Sequence, residues 1–114
     1  MLSYAVIAFA IAALGGLVLA SSVLRGRLAS WPLSLLHAAL GATCLVLVLL
    51  SVLGGAGGYV LGALVILVIA ALGGFYLASM HLRGEVAPKG VVVVHAGAAV
   101  TGFLLLAAAA YNLL

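Results

Sequence analysis

The chain has 114 residues, 69% of them hydrophobic and 4% charged, with a formal net charge of +3. A soluble domain carries roughly 25% charged residues and about 45–50% apolar ones, so this composition excludes a water-soluble domain and a disordered chain. Four cations are too few for a nucleic-acid-binding patch, and Cys44, the only cysteine, has no partner within the chain.

What remains is an all-α integral membrane protein. A helix needs roughly 20 apolar residues to cross the hydrocarbon core. Four stretches qualify, at about 2–24, 32–53, 59–82 and 88–113. The first stops at Arg25, the second at the Gly54–Gly58 run, and the third at Arg83. Pro32 and Pro88 sit where a first-turn proline is tolerated. The connections are short, so sequential helices are expected to be antiparallel neighbours in a single up-down-up-down bundle. Residues 1–24 do not read as a secretory signal. No Lys or Arg precedes the apolar run, which exceeds the roughly 7–15 residues of a signal core.

All four cations fall in the connections 25–31 and 83–89. The positive-inside rule places these loops in the cytoplasm and both termini outside, in a bacterial inner membrane. Trp31 then lies at the inner interface, and Tyr4, Tyr59 and Tyr111 at the outer one.

Sliding the sequence against itself by 58 positions reveals an internal repeat, 1–56 and 57–114. Ile11-Ala12-Ala13-Leu14-Gly15-Gly16 aligns with Ile69-Ala70-Ala71-Leu72-Gly73-Gly74 without a gap. Arg25 aligns with Arg83, His37 with His95, and Thr43 with Thr101. Composition explains apolar coincidences, but not polar residues in register. Each half holds two spans, so the halves share one orientation and form a parallel repeat about an axis along the membrane normal.

The repeat carries His37 and His95 to equivalent depths, roughly 5–7 residues or about 8–10 Å into their helices. Ionisable residues inside a membrane are costly and usually face a bundle interior. Two imidazoles on the diagonal helices 2 and 4 would face each other across the axis, as two axial ligands of one haem iron do. Gly15, Gly16, Gly73 and Gly74, on the other diagonal pair, let another surface approach the backbone. They suit the edge of a porphyrin, or simply helix packing. They lie about 14 Å in from the arginines, deeper than the histidines. Arg25 and Arg83 suit haem propionates as well as membrane anchoring. His81 has no counterpart, because Val23 occupies the matching position. It reads as an interfacial residue, a propionate contact or proton-handling group, or a substitute ligand. Thr43 and Thr101 are expected to bond back to their own helix carbonyls.

His37, His95 and the four glycines together resemble the b-type membrane cytochromes, in which a four-helix core holds haem between histidines on different helices. That resemblance implies one haem b, with His37 and His95 on the iron, in an electron-transfer protein rather than an enzyme in its own right. Its electron partner would be a quinone or a redox protein. The family often holds two haems with four histidines. This chain has one symmetric pair, which leaves a second haem without ligands. The alternative is a non-redox membrane protein (a scaffold, metal-binding or transporter subunit) that uses the histidines for an interhelical hydrogen bond or for zinc or copper. A carboxylate-driven transporter is disfavoured, because the chain has no Asp and Glu85 lies in a loop.

Overall fold

The computed structural model describes residues 2–114, and all regular structure among them is helical. Four helices follow one another: α1 (Leu2–Leu24), α2 (Trp31–Leu53), α3 (Gly58–Leu82) and α4 (Lys89–Ala110). At 1.5 Å per residue, the 23 residues of α1 make about 35 Å, enough for a hydrocarbon core of about 30 Å. All four helices are long and apolar enough to cross a membrane.

Local chemistry sets the boundaries. Ser30 caps α2, its side chain accepting from the Leu33 N–H, with Pro32 in the first turn. Pro88 is the cap residue of α4 rather than part of its first turn, so that helix begins one residue later than expected. Its other end comes at Ala110, short of the expected 113, and Asn112 there has a φ of 56°. Gly26 and Gly84 follow α1 and α3 with φ of 76° and 69°. This left-handed conformation ends a helix cheaply only where there is no Cβ. Thr43 and Thr101 donate to the Ala39 and Gly97 carbonyls at 2.8 Å, as expected for hydroxyls with no water to turn to.

The closest helix pairs are α1 with α2 and α3 with α4. Two sparser seams, α1 with α4 and α2 with α3, join these pairs, while α1–α3 and α2–α4 make no close backbone approach. An aromatic contact spans each seam. Phe9 stacks on Phe103 between α1 and α4, with centroids 5.2 Å apart. Trp31 stacks on His81 between α2 and α3. The Trp31–His81 stack brings the start of α2 to the end of α3, so the two charged connections lie at one end of the bundle.

The apolar core is split. One cluster of buried residues contains Ala5, Val6, Cys44, Val48, Val60, Ala63, Leu67 and Leu106. A smaller one, Met80, Ala87 and Val92, sits at the charged-loop end. Outward-facing side chains are also apolar, with Phe75 70% and Val94 72% exposed, as a lipid-facing surface requires. Lipid removes the hydrophobic gain of helix association, so close packing must hold the helices together. Gly102 is one such contact: a Cβ there would lie 2.7 Å from Leu67 Cδ2 and 3.2 Å from Ile66 Cγ2. Gly102→Ala should therefore destabilise the folded bundle by about 1–3 kcal/mol through overpacking. Unfolding in detergent mixtures measures this, and Leu67→Ala in the same chain should recover part of the loss.

Candidate functional site: a paired-histidine layer

His37 and His95 lie in the chain between the contributors to the two core clusters, and the structure brings them together. Their ring centroids are 6.4 Å apart and their planes cross at 82°. Each ring is held from the side by the other helix of its own pair. His37 Nδ1 is 2.8 Å from the Ala12 carbonyl oxygen, and His95 Nδ1 is 2.7 Å from that of Ala70. A carbonyl only accepts, so both Nδ1 atoms must carry the hydrogen. In the neutral ring the lone pair is then on Nε2.

The glycines explain how a helix carbonyl becomes available to a second donor. A helical side chain leans towards the N-terminus and covers the turn before it. The side chain four residues after an acceptor therefore shields that carbonyl. Gly16 follows Ala12 by four, and Gly74 follows Ala70 by four. A Cβ on Gly16 would lie 2.9 Å from His37 Cε1, and one on Gly74 would lie 3.1 Å from His95 Cε1. These two glycines make room for the imidazoles themselves. This is close packing between helices, one of the two readings that the sequence left open for them, and it accounts for their greater depth, because each ring reaches inward to meet its glycine. The other two differ from each other. Gly15 is covered by Leu33 Cδ1 at 3.5 Å, and Gly73 by His95 Cβ at 3.5 Å. Val91 stands where the 58-residue match to Leu33 falls, and a cavity of about 230 Å³ lies between α3 and α4, lined in part by Gly73, Val91 and His95.

The arginines stay at the charged-loop end. Arg25 Nε donates to the Ser21 carbonyl at 3.1 Å, and Arg83 Nη2 lies 2.9 Å from Met80 Sδ. His81 is placed away from the pair. It stacks on Trp31 at 3.9 Å and 12°, with Nδ1 3.4 Å from Ser34 Oγ. Cys44 is fully buried within the larger apolar cluster. Among the described residues, no three His, Cys, Asp or Glu side chains gather as a metal site.

The centroid separation, taken alone, has the length that one metal between the rings would need. A metal–imidazole bond of about 2.0–2.1 Å on each side, plus the ring radii, separates centroids by about 6.4 Å. Crossed ring planes do not oppose this, since rotation about a nitrogen–metal bond leaves the bond intact. A ligating histidine commonly gives its other N–H to a backbone carbonyl, and both rings do so here. Two nitrogens fall short of the four ligands of structural zinc, whereas a porphyrin already supplies four and needs only an axial pair.

Gly16→Ala should displace the His37 ring and weaken its bond to Ala12, with Gly74→Ala having the smaller effect. Imidazole ¹⁵N chemical shifts would check this as loss of the Nδ1–H signature. Gly41→Ala, where an added Cβ meets nothing within 4 Å, should leave both signatures in place. Comparison with protein-family models, with curated proteins and with solved structures finds no match to this chain.

Proposed function

We propose that this protein is a small membrane cytochrome: one haem b held by His37 and His95, carrying single electrons. The 6.4 Å separation of two rings that both give Nδ1–H to a neighbouring helix carbonyl carries the reading. Haem would supply one-electron iron chemistry when bound, with His37 and His95 as the residues that would hold it. The chain's own residues do the rest. Ala12 and Ala70 fix the rings and their tautomer, and the apolar sleeve excludes water from the pair. Arg25 and Arg83, at the charged-loop end, would offer cationic groups to the haem carboxylates. To admit the macrocycle the helices would have to part along the two sparser seams, between α1 and α4 and between α2 and α3. The electron partner is a quinone or a redox protein.

The reading includes an up-down-up-down bundle of two repeated hairpins, with the loops 25–31 and 83–89 in the cytoplasm of a bacterium and both termini outside. Three pairings of the 58-residue match support the repeat. They are His37 on Ala12 with His95 on Ala70, Gly16 with Gly74 against the rings, and the left-handed Gly26 with Gly84.

One observation favours a second reading. The imidazoles already fill the space beside Gly16 and Gly74, which suits a non-redox protein that pairs its histidines structurally or around a bare ion.

Colour separates the two. Protein purified after expression with added haem should show a strong visible absorption band that sharpens on reduction. His37→Ala and His95→Ala should each lose the six-coordinate spectrum. A colourless preparation supports the second reading, and a six-coordinate spectrum surviving both substitutions moves the ligand to His81.

A further inference from the structure

The two halves of the chain part company at the start of α4. In the 58-residue match, Trp31, Pro32 and Leu33 of α2 correspond to Lys89, Gly90 and Val91 of α4. In the first half, Leu33 Cδ1 lies 3.5 Å from where a Cβ on Gly15 would be, and Trp31 stacks across the seam on His81. In the second half, the smaller Gly90 and Val91 leave the cavity of about 230 Å³ against Gly73 of α3. The cavity runs inward from Gly90 to Ala98, about 12 Å of helix. That is most of one leaflet of a hydrocarbon core of about 30 Å. Ile69 and Val94 also line it and are 58% and 72% exposed, so the cavity is a groove open towards lipid.

Chemistry narrows the occupant. The one polar side chain lining the groove is His95, and its Nδ1–H is given to the Ala70 carbonyl at 2.7 Å. Nε2 of the neutral ring then has no hydrogen to donate, so a guest with carbonyl groups would give up hydrogen bonds there and gain none. A methylene chain loses nothing. The mouth is different. Lys89, exposed and the first residue of α4, adjoins Gly90. Arg83 ends α3 in the same connection, where the two cations outnumber the single acid, Glu85. An ammonium is a point-charge partner for phosphate, and a basic pocket between membrane helices suits an anionic headgroup.

We infer that the α3–α4 groove binds one anionic phospholipid, with an acyl chain along Gly73, Val91 and Ala98 and its phosphate on Lys89. The bound chain covers Gly73 as Leu33 covers Gly15, so a lipid supplies to the second half the packing that a side chain supplies to the first. The site goes beyond the haem reading and does not depend on it.

Native mass spectrometry reads the retained lipid when the full chain is released from nanodiscs holding equal amounts of phosphatidylglycerol and phosphatidylcholine with the same acyl chains. One phosphatidylglycerol should stay bound per chain, preferred over phosphatidylcholine by about fivefold, the selectivity that one cation near the surface supplies. Lys89→Gln, at an exposed position, should bring the two lipids to equal retention, while Arg27→Gln, in the other connection, should preserve the preference. Val91→Leu places in the groove the residue that fills the first half, and should remove bound lipid of either kind. Glycerophosphate, which has the anion without the chains, should not displace the lipid, and neither should a quinone. Equal retention of the two lipids by the natural sequence would overturn the site. So would full retention in Val91→Leu, an equal loss of preference in Arg27→Gln and Lys89→Gln, or displacement by either competitor.

Discussion

Everything polar within these four helices, each long and apolar enough to cross a membrane, answers to one constraint: in hydrocarbon a hydrogen-bonding group must find its partner within the protein. The histidine layer meets it with groups that are already in use. The Ala12 and Ala70 carbonyls each serve their own helix and accept a second bond from an imidazole. A carbonyl has two lone pairs, so the chemistry allows this, and the only obstacle is the side chain one turn later. Placing glycine there removes the obstacle. A small acceptor residue followed four positions later by glycine is also the pattern that lets two helices approach closely. Helix approach, carbonyl access and imidazole orientation are thus a single device, used once in α1 with α2 and once in α3 with α4.

The consequence for chemistry is orientation. A free histidine chooses between two tautomers, and this one cannot, because the carbonyl requires a hydrogen on Nδ1. Both rings keep Nε2 as the remaining nitrogen, with their centroids 6.4 Å apart. Holding a ligand in place before the metal arrives is what second-layer hydrogen bonds do in metalloproteins generally. Seating the pair on rigid helices, with an apolar cluster on either side in sequence, adds to that preorganisation. The two sparser seams are each bridged by one aromatic stack.

Much of this was legible in the chain itself. The four apolar stretches gave the helices to within three residues at every end. The threonine back-bonds followed from the absence of water. The facing of His37 and His95 followed from their register and from the cost of an imidazole in lipid. The glycines read either as a porphyrin edge or as helix packing, and the form that their packing takes had a signal in the chain: Ala12 and Gly16 stand four apart, as do Ala70 and Gly74, and each alanine precedes its histidine by 25 residues. Periodicity reports which residues share a face, but not which carbonyl a side chain uncovers. The partner of His81 was beyond sequence reading, because Trp31 and Ser34 have no counterpart on which a pattern could rest: Lys89 and Val92 occupy the matching positions.

The sequence by itself determined an apolar, four-helix, membrane-compatible chain with one symmetric histidine pair, because length and hydropathy leave so few alternatives to so uncharged a polymer. Only the tertiary structure decided the 6.4 Å spacing, the crossed rings, the carbonyl partners and the stacking of His81 on Trp31. Those depend on how far apart two helices stand and how each is rotated. That balance is set by side-chain packing across the seams, which no single helix encodes alone.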